Sequence, residues 1–190
     1  MADDEKPLEE DISFGDMGRE YLRHGHRHEA LECFEQALTL AREARDMRAE
    51  MVATADLGIA YFTLGERTRA LPYFLKWLAF SREMGDRWSE AIALGNLGNT
   101  YWSMGDMRKA IQCYEQALAI HRETGNQRGE AAALYNLGSA CDILGQRKRA
   151  IALMQQAFHV YNEIDSERTD HVRRVLGDWI VDPWTPRGRH

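Results

Sequence analysis

The sequence contains no apolar run of 18 residues, so nothing in it reads as a membrane-spanning helix. Proline is scarce, with 4 residues, and glycine reaches only 15, which excludes collagen-like and low-complexity chains. Cysteine is scarcer still. Three is an odd count, too low for a disulfide-built scaffold and in keeping with a reducing cytoplasm. The first residues, MADDEKPLEED, have neither a basic start nor an apolar stretch, so no secretory signal is read there. A basic excess is missing too: 24 Lys and Arg against 30 Asp and Glu leave a formal charge of −6, which argues against nucleic acid as a partner.

What is present is 44% hydrophobic and 28% charged residues, enough apolar material for a sizeable core. Most of the negative charge sits at the start, where Asp3, Asp4, Glu5, Glu9, Glu10 and Asp11 face Lys6 alone. Residues 1–10 are expected to be a disordered, solubilising leader, because a charge run with little apolar content cannot offset its ordering entropy.

The rest is a repeat. Steps of forty residues give four blocks, 11–50, 51–90, 91–130 and 131–170, without insertion or deletion. Gly18, Gly58, Gly98 and Gly138 share a column, as do Gly25, Gly65, Gly105 and Gly145, and Ala30, Ala70, Ala110 and Ala150. Tyr21, Tyr61 and Tyr101 align with Cys141, and Phe34, Phe74 and Tyr114 with Met154. Within the third block Leu94, Leu97 and Tyr101, then Ala110, Tyr114, Ala117 and Leu118, recur at three- and four-residue steps, the stripe of an amphipathic helix. Gly105-Asp106 breaks the run, so each block is predicted to be a pair of helices of about 17 residues, roughly 26 Å each. A glycine inside a helix costs about 1 kcal/mol against alanine. The recurrence of Gly98 and its equivalents, facing Ala110, therefore predicts close helix-to-helix approach.

These columns, quoted as LGIAYFTLGERTRALPYF and LGNTYWSMGDMRKAIQCYEQA, closely resemble the tetratricopeptide repeat (TPR) over residues 11–170. The forty-residue period is similar to the variant of spindle-orientation adaptors and bacterial TPR scaffolds. The resemblance implies an all-α fold, a right-handed superhelical solenoid of antiparallel helix pairs. It implies a non-enzymatic scaffold that binds a peptide or helix of a partner protein in a concave groove. Carried over by column, the groove would hold Arg19, beside Asp16; then Asp56, Ile59 and Phe62; then Asn96, Asn99 and Trp102; and then Tyr135, Asn136 and Ser139. An asparagine amide offers donor and acceptor together, matching a peptide backbone without reading its sequence. Phe62 and Trp102 would supply apolar anchors. Gly95, Val172 and Leu176 stand where the chaperone-tail carboxylate clamp carries Lys or Arg, which argues against that ligand.

Residues 171–182, starting near 167, read as a capping helix with Val172, Leu176, Trp179 and Ile180 on one stripe, followed by a tail at 183–190. Block 2 departs from the pattern: Pro72 would tilt its second helix, and Trp77 stands where Ala37, Ala117 and Ala157 stand elsewhere. The cluster His24, His26 and His28 lies on a turn with no carboxylate or thiol placed to complete a metal site, so no metal and no cofactor are expected. Cys33, Cys113 and Cys141 follow core columns and read as buried small hydrophobes. No nucleophile has an assignable base, and no phosphate-binding loop is present, so no catalysis is expected. Two other readings stay open, a self-assembling array and a peptide-sensing regulator.

Overall fold

The computed structural model of the chain describes residues 13–164 and 166–180. Among the described residues there are nine helices and no strand: α1 (Phe14–Arg23), α2 (Arg27–Glu43), α3 (Met47–Thr63), α4 (Arg67–Glu83), α5 (Arg87–Ser103), α6 (Met107–Glu123), α7 (Gln127–Ile143), α8 (Arg147–Ile164) and α9 (Ser166–Ile180). The acidic leader and the tail at 183–190 lie outside the described residues.

Local chemistry sets these boundaries. The side chains of Asp46, Asp86, Asp106 and Asn126 each accept the backbone N–H three residues on, at 3.0–3.2 Å, and so satisfy an orphan donor at the start of α3, α5, α6 and α7. Gly105 ends the run before α6 with φ of 82°. Between α2 and α3 the equivalent left-handed position is Arg45, φ 53°, where Gly85 and Gly125 stand later in the chain. That side chain costs about 1 kcal/mol relative to glycine.

The contacts divide the chain into two compact units, Met1–Tyr73 and Phe74–His190, the boundary falling just after Pro72. Helix α4 runs through Pro72 unbroken. Trp77, the departure from the alanine column, is buried with its ring 6.4 Å from that of Phe74. In the first unit the α1–α2 hairpin packs on α3 around Phe34 and Leu57, both fully buried. In the second, one core joins Tyr114, Leu134, Leu137 and Met154 to Val172 and Leu176 of α9.

The glycine column allows the close helix approach that the sequence predicts. A Cβ on Gly18 would lie 2.5 Å from the Phe34 ring, and one on Gly98 would lie 2.4 Å from the Tyr114 ring. At Gly18 and Gly98 the missing side chain makes room for the aromatic of the second helix. At Gly138, where the aromatic column holds Met154, the nearest neighbour is a backbone atom of the alanine column, the Ala150 carbonyl at 3.3 Å. Gly98→Ala should therefore lose about 1–2 kcal/mol of stability in denaturant unfolding, since overpacking outweighs the roughly 1 kcal/mol of helix propensity gained.

Thr54 is fully buried in the column of Leu94 and Leu134, and among the described residues its hydroxyl is the buried side-chain polar atom without a hydrogen-bond partner. Thr54→Val should raise stability by about 1 kcal/mol in the same measurement, the cost of an unsatisfied hydroxyl being removed.

Candidate functional site

In the first unit the candidate residues sit on α1 and α3. Arg19 donates from Nη1 to Asp56 Oδ2 at 2.6 Å and from Nη2 to Asp16 Oδ1 at 2.7 Å. Asp56 is mostly buried. Burial pushes its carboxyl up to about 6, against the pull of Arg19 and with a further push from Asp16. Ile59 and Phe62 are half-buried, and the Arg67 guanidinium lies 4.2 Å above the Phe62 ring while donating to the Phe62 carbonyl.

In the second unit α5 carries Asn96, Asn99 and Trp102, and α7 carries Tyr135, Asn136 and Ser139, all half-buried. Asn136 Nδ2 lies 3.5 Å from Asn99 Oδ1, which brings the two helices side by side. That oxygen also accepts from the Tyr114 hydroxyl at 2.8 Å. Asn96 donates to the Ile92 carbonyl at 3.0 Å, and Ser139 to the Tyr135 carbonyl at 3.0 Å. The Tyr135 hydroxyl meets His171 Nε2 at 2.8 Å. The amides are thus partly committed to the protein. Asn99 can offer a ligand its N–H groups but not the donor–acceptor pair that the sequence suggested.

Patterns of the tetratricopeptide repeat match residues 50–123, 89–163 and, separately, 13–43. The chain belongs to the tetratricopeptide repeat family. Solved structures agree on the TPR solenoid fold. A Podospora anserina protein described as a kinesin light chain with nearly identical TPR-like repeats is 21% identical, with a TM-score of 0.74, covering 88% of this chain and 83% of that one. RapI in its apo form is 20% identical, with a TM-score of 0.82, over 93% of this chain and 66% of that one. A STAND signal-transduction ATPase from Pyrococcus horikoshii with a tetratricopeptide repeat sensor is 20% identical, with a TM-score of 0.74. The overlap there is 87% of this chain and 25% of that one. No curated protein matches the chain.

In TPR terms α1, α3, α5 and α7 are A-helices and α2, α4, α6 and α8 are B-helices, so both candidate rows lie on A-helices. Two histidines of the cluster meet nearby carboxylates: His24 Nε2 lies 2.8 Å from Glu20 Oε1, and His26 Nδ1 lies 3.4 Å from Glu29. Among the described residues no three His, Cys, Asp or Glu converge as metal ligands. All three cysteines are free and buried, and burial pushes the Cys113 thiol up to about 11.

One polar constellation was not anticipated. At the ends of α2, α4 and α6 an arginine reaches the following A-helix: Arg42 to Glu50 at 3.0 Å, Arg82 to Glu90 at 2.9 Å and Arg122 to Glu130 at 2.7 Å. Arg82 and Arg122 also donate to Gln116 and Gln156, at 3.1 and 2.9 Å. Burial alone would raise the Glu90 carboxyl, but hydrogen bonds from Arg82 and Arg87 outweigh it and hold the group below its ordinary value. The signal was available, since Arg and Glu repeat forty residues apart in two columns that stand eight positions from one another. Similarly, Gly129 breaks no sequence rule but is needed, because a Cβ there would lie 2.4 Å from the buried His121 ring.

Asp56 gives the first unit a distinct pH response. Its carboxyl titrates near 6 when folded and near 3.8 otherwise, so the folded state binds the proton more tightly. This contribution is fully present below pH 3.8 and is lost as pH rises through 6. In Asp56→Asn the loss should disappear, which thermal melts taken between pH 4 and 7 will read as a flattened slope.

Proposed function

We propose that this TPR chain is a protein-interaction module whose A-helix faces hold an extended segment of a partner protein, with the α5–α7 row as the principal surface. The observation that carries this reading is the meeting of Asn99 and Asn136 on neighbouring A-helices, on a row that also holds Trp102 and Tyr135. Half-buried amides can donate to peptide carbonyls without demanding a sequence, and a half-buried indole supplies an apolar anchor. The first unit offers a second, differently coloured surface, in which the Arg19–Asp56 pair stands among Ile59 and Phe62 on the A-helices.

Binding without catalysis is part of this reading. The described thiols are buried and hard to ionise, which leaves little thiolate for nucleophilic chemistry. A cytoplasmic setting suits three free thiols. Among the described residues no helix is long and apolar enough to cross a membrane.

The test is retention of a native-lysate partner by wild type against a Trp102→Ala, Asn136→Ala double variant. Asn99 is left intact, because its loss would orphan the buried Tyr114 hydroxyl and confuse stability with binding. With melting curves matched to within a few degrees, the partner should bind the double variant at least tenfold more weakly. Equal retention by both proteins would remove the α5–α7 row from the function.

A further inference from the structure

In the second unit the turns from A-helix to B-helix, Met104-Gly105 and Leu144-Gly145, lie at one end of the antiparallel hairpins. The turns from B-helix to A-helix, Gly85-Asp86 and Gly125-Asn126, lie at the other. The two ends differ in charge. Residues 102–110 carry Arg108 and Lys109 against Asp106, and residues 142–150 carry Arg147, Lys148 and Arg149 against Asp142. At the opposite end, residues 82–90 and 122–130 hold at least as many carboxylates as cations. A chain with a formal charge of −6 thus keeps one cationic edge.

Three of its cations are engaged. Lys109 Nζ lies 2.9 Å from Asp106 Oδ2, Arg147 Nη1 lies 2.6 Å from Asp142 Oδ1, and Arg149 pairs with Glu115. Arg108 and Lys148 share a column, are exposed, and form no ion pair among the described residues. The same edge exposes apolar side chains at its tips: Met104 is 45% exposed, Ile143 57% and Leu144 41%. Ile143 stands where the other repeats carry Arg23, Thr63 and Ser103. A Cβ on Gly105 or Gly145 would meet no heavy atom within 4 Å, so these turns project and do not line a groove.

We propose that this edge docks on the surface of an anionic lipid bilayer, with Met104, Ile143 and Leu144 entering the headgroup layer and Arg108 and Lys148 meeting lipid phosphates. Projecting apolar tips flanked by cations suit a soft, anionic interface. A peptide would need a depression in which to lie. Each cation close to an anionic leaflet strengthens attachment about fivefold. The contact is superficial, since among the described residues no helix is long and apolar enough to cross a membrane. None of these five residues belongs to the α5–α7 row, so the two readings stand or fall separately.

The test is flotation of the full chain with vesicles of equal parts phosphatidylserine and phosphatidylcholine, compared with phosphatidylcholine alone. Binding should be at least tenfold stronger to the anionic vesicles and should fall as added salt screens the charges. Arg108→Glu with Lys148→Glu, and separately Ile143→Ser with Leu144→Ser, should each weaken it at least tenfold, at unchanged helical content by circular dichroism. A polarity-sensitive dye on Leu144→Cys should shift to the blue on anionic vesicles, the three native thiols being buried. The same dye on Glu83→Cys, at the opposite end, should not shift. No binding, equal binding to both vesicles, full binding by either double variant, or a blue shift at the opposite end would overturn the proposal. Capture by immobilised poly-glutamate without vesicle binding would overturn it too, and would assign the edge to an acidic protein segment.

Discussion

The fold depends on an absent side chain. In the hairpins of α1–α2 and α5–α6 the aromatic ring of the B-helix lies where a Cβ on the A-helix glycine would be, so the two helices lock at one depth and one rotation. Tyr114 can reach Asn99 only because its ring is seated on Gly98, one residue away on the same helix. Where the ring is replaced by the flexible Met154, the glycine remains and the backbone of α8 becomes the neighbour.

Between repeats the register is set by charge. The Arg–Glu pair at each junction fixes how far one TPR is rotated onto the next, and its glutamates are more buried than its arginines. Such pairs contribute little net stability, because desolvation offsets most of the Coulomb gain. Their effect is directional, since a slip by one helical position would leave the buried Glu90 carboxylate, or the half-buried Glu50 and Glu130, without a cation. Apolar surfaces alone do not discriminate so sharply between one rotation and another.

Much of this was legible in the sequence. The forty-residue columns, the glycine turns and the amphipathic stripes specify helical hairpins because each is a local demand that any folded form must meet. The partners of individual polar groups were not. Asn99 looks like a ligand-facing amide in its column, yet its oxygen is engaged by a hydroxyl fifteen residues away and by Asn136 thirty-seven residues away. Gly98 was recognised as a packing residue facing the second helix, but the column does not say that the Tyr114 ring is its nearest neighbour. The Arg–Glu junctions were visible as two charged columns, but charges on helix faces are so common that their pairing emerges only from three dimensions.

The hydrogen bond from Tyr114 to Asn99 joins two roles that repeat proteins can usually keep apart. Asn99 stands on the surface proposed to meet a partner and at the same time closes the polar end of a core ring. Its position is therefore constrained from both sides, while Trp102 and Ser139 are held by less. Divergence in what such a chain recognises should accumulate at the loosely held positions and skirt the anchored one. The proposed row is in this sense a mosaic, a fixed amide set among replaceable neighbours.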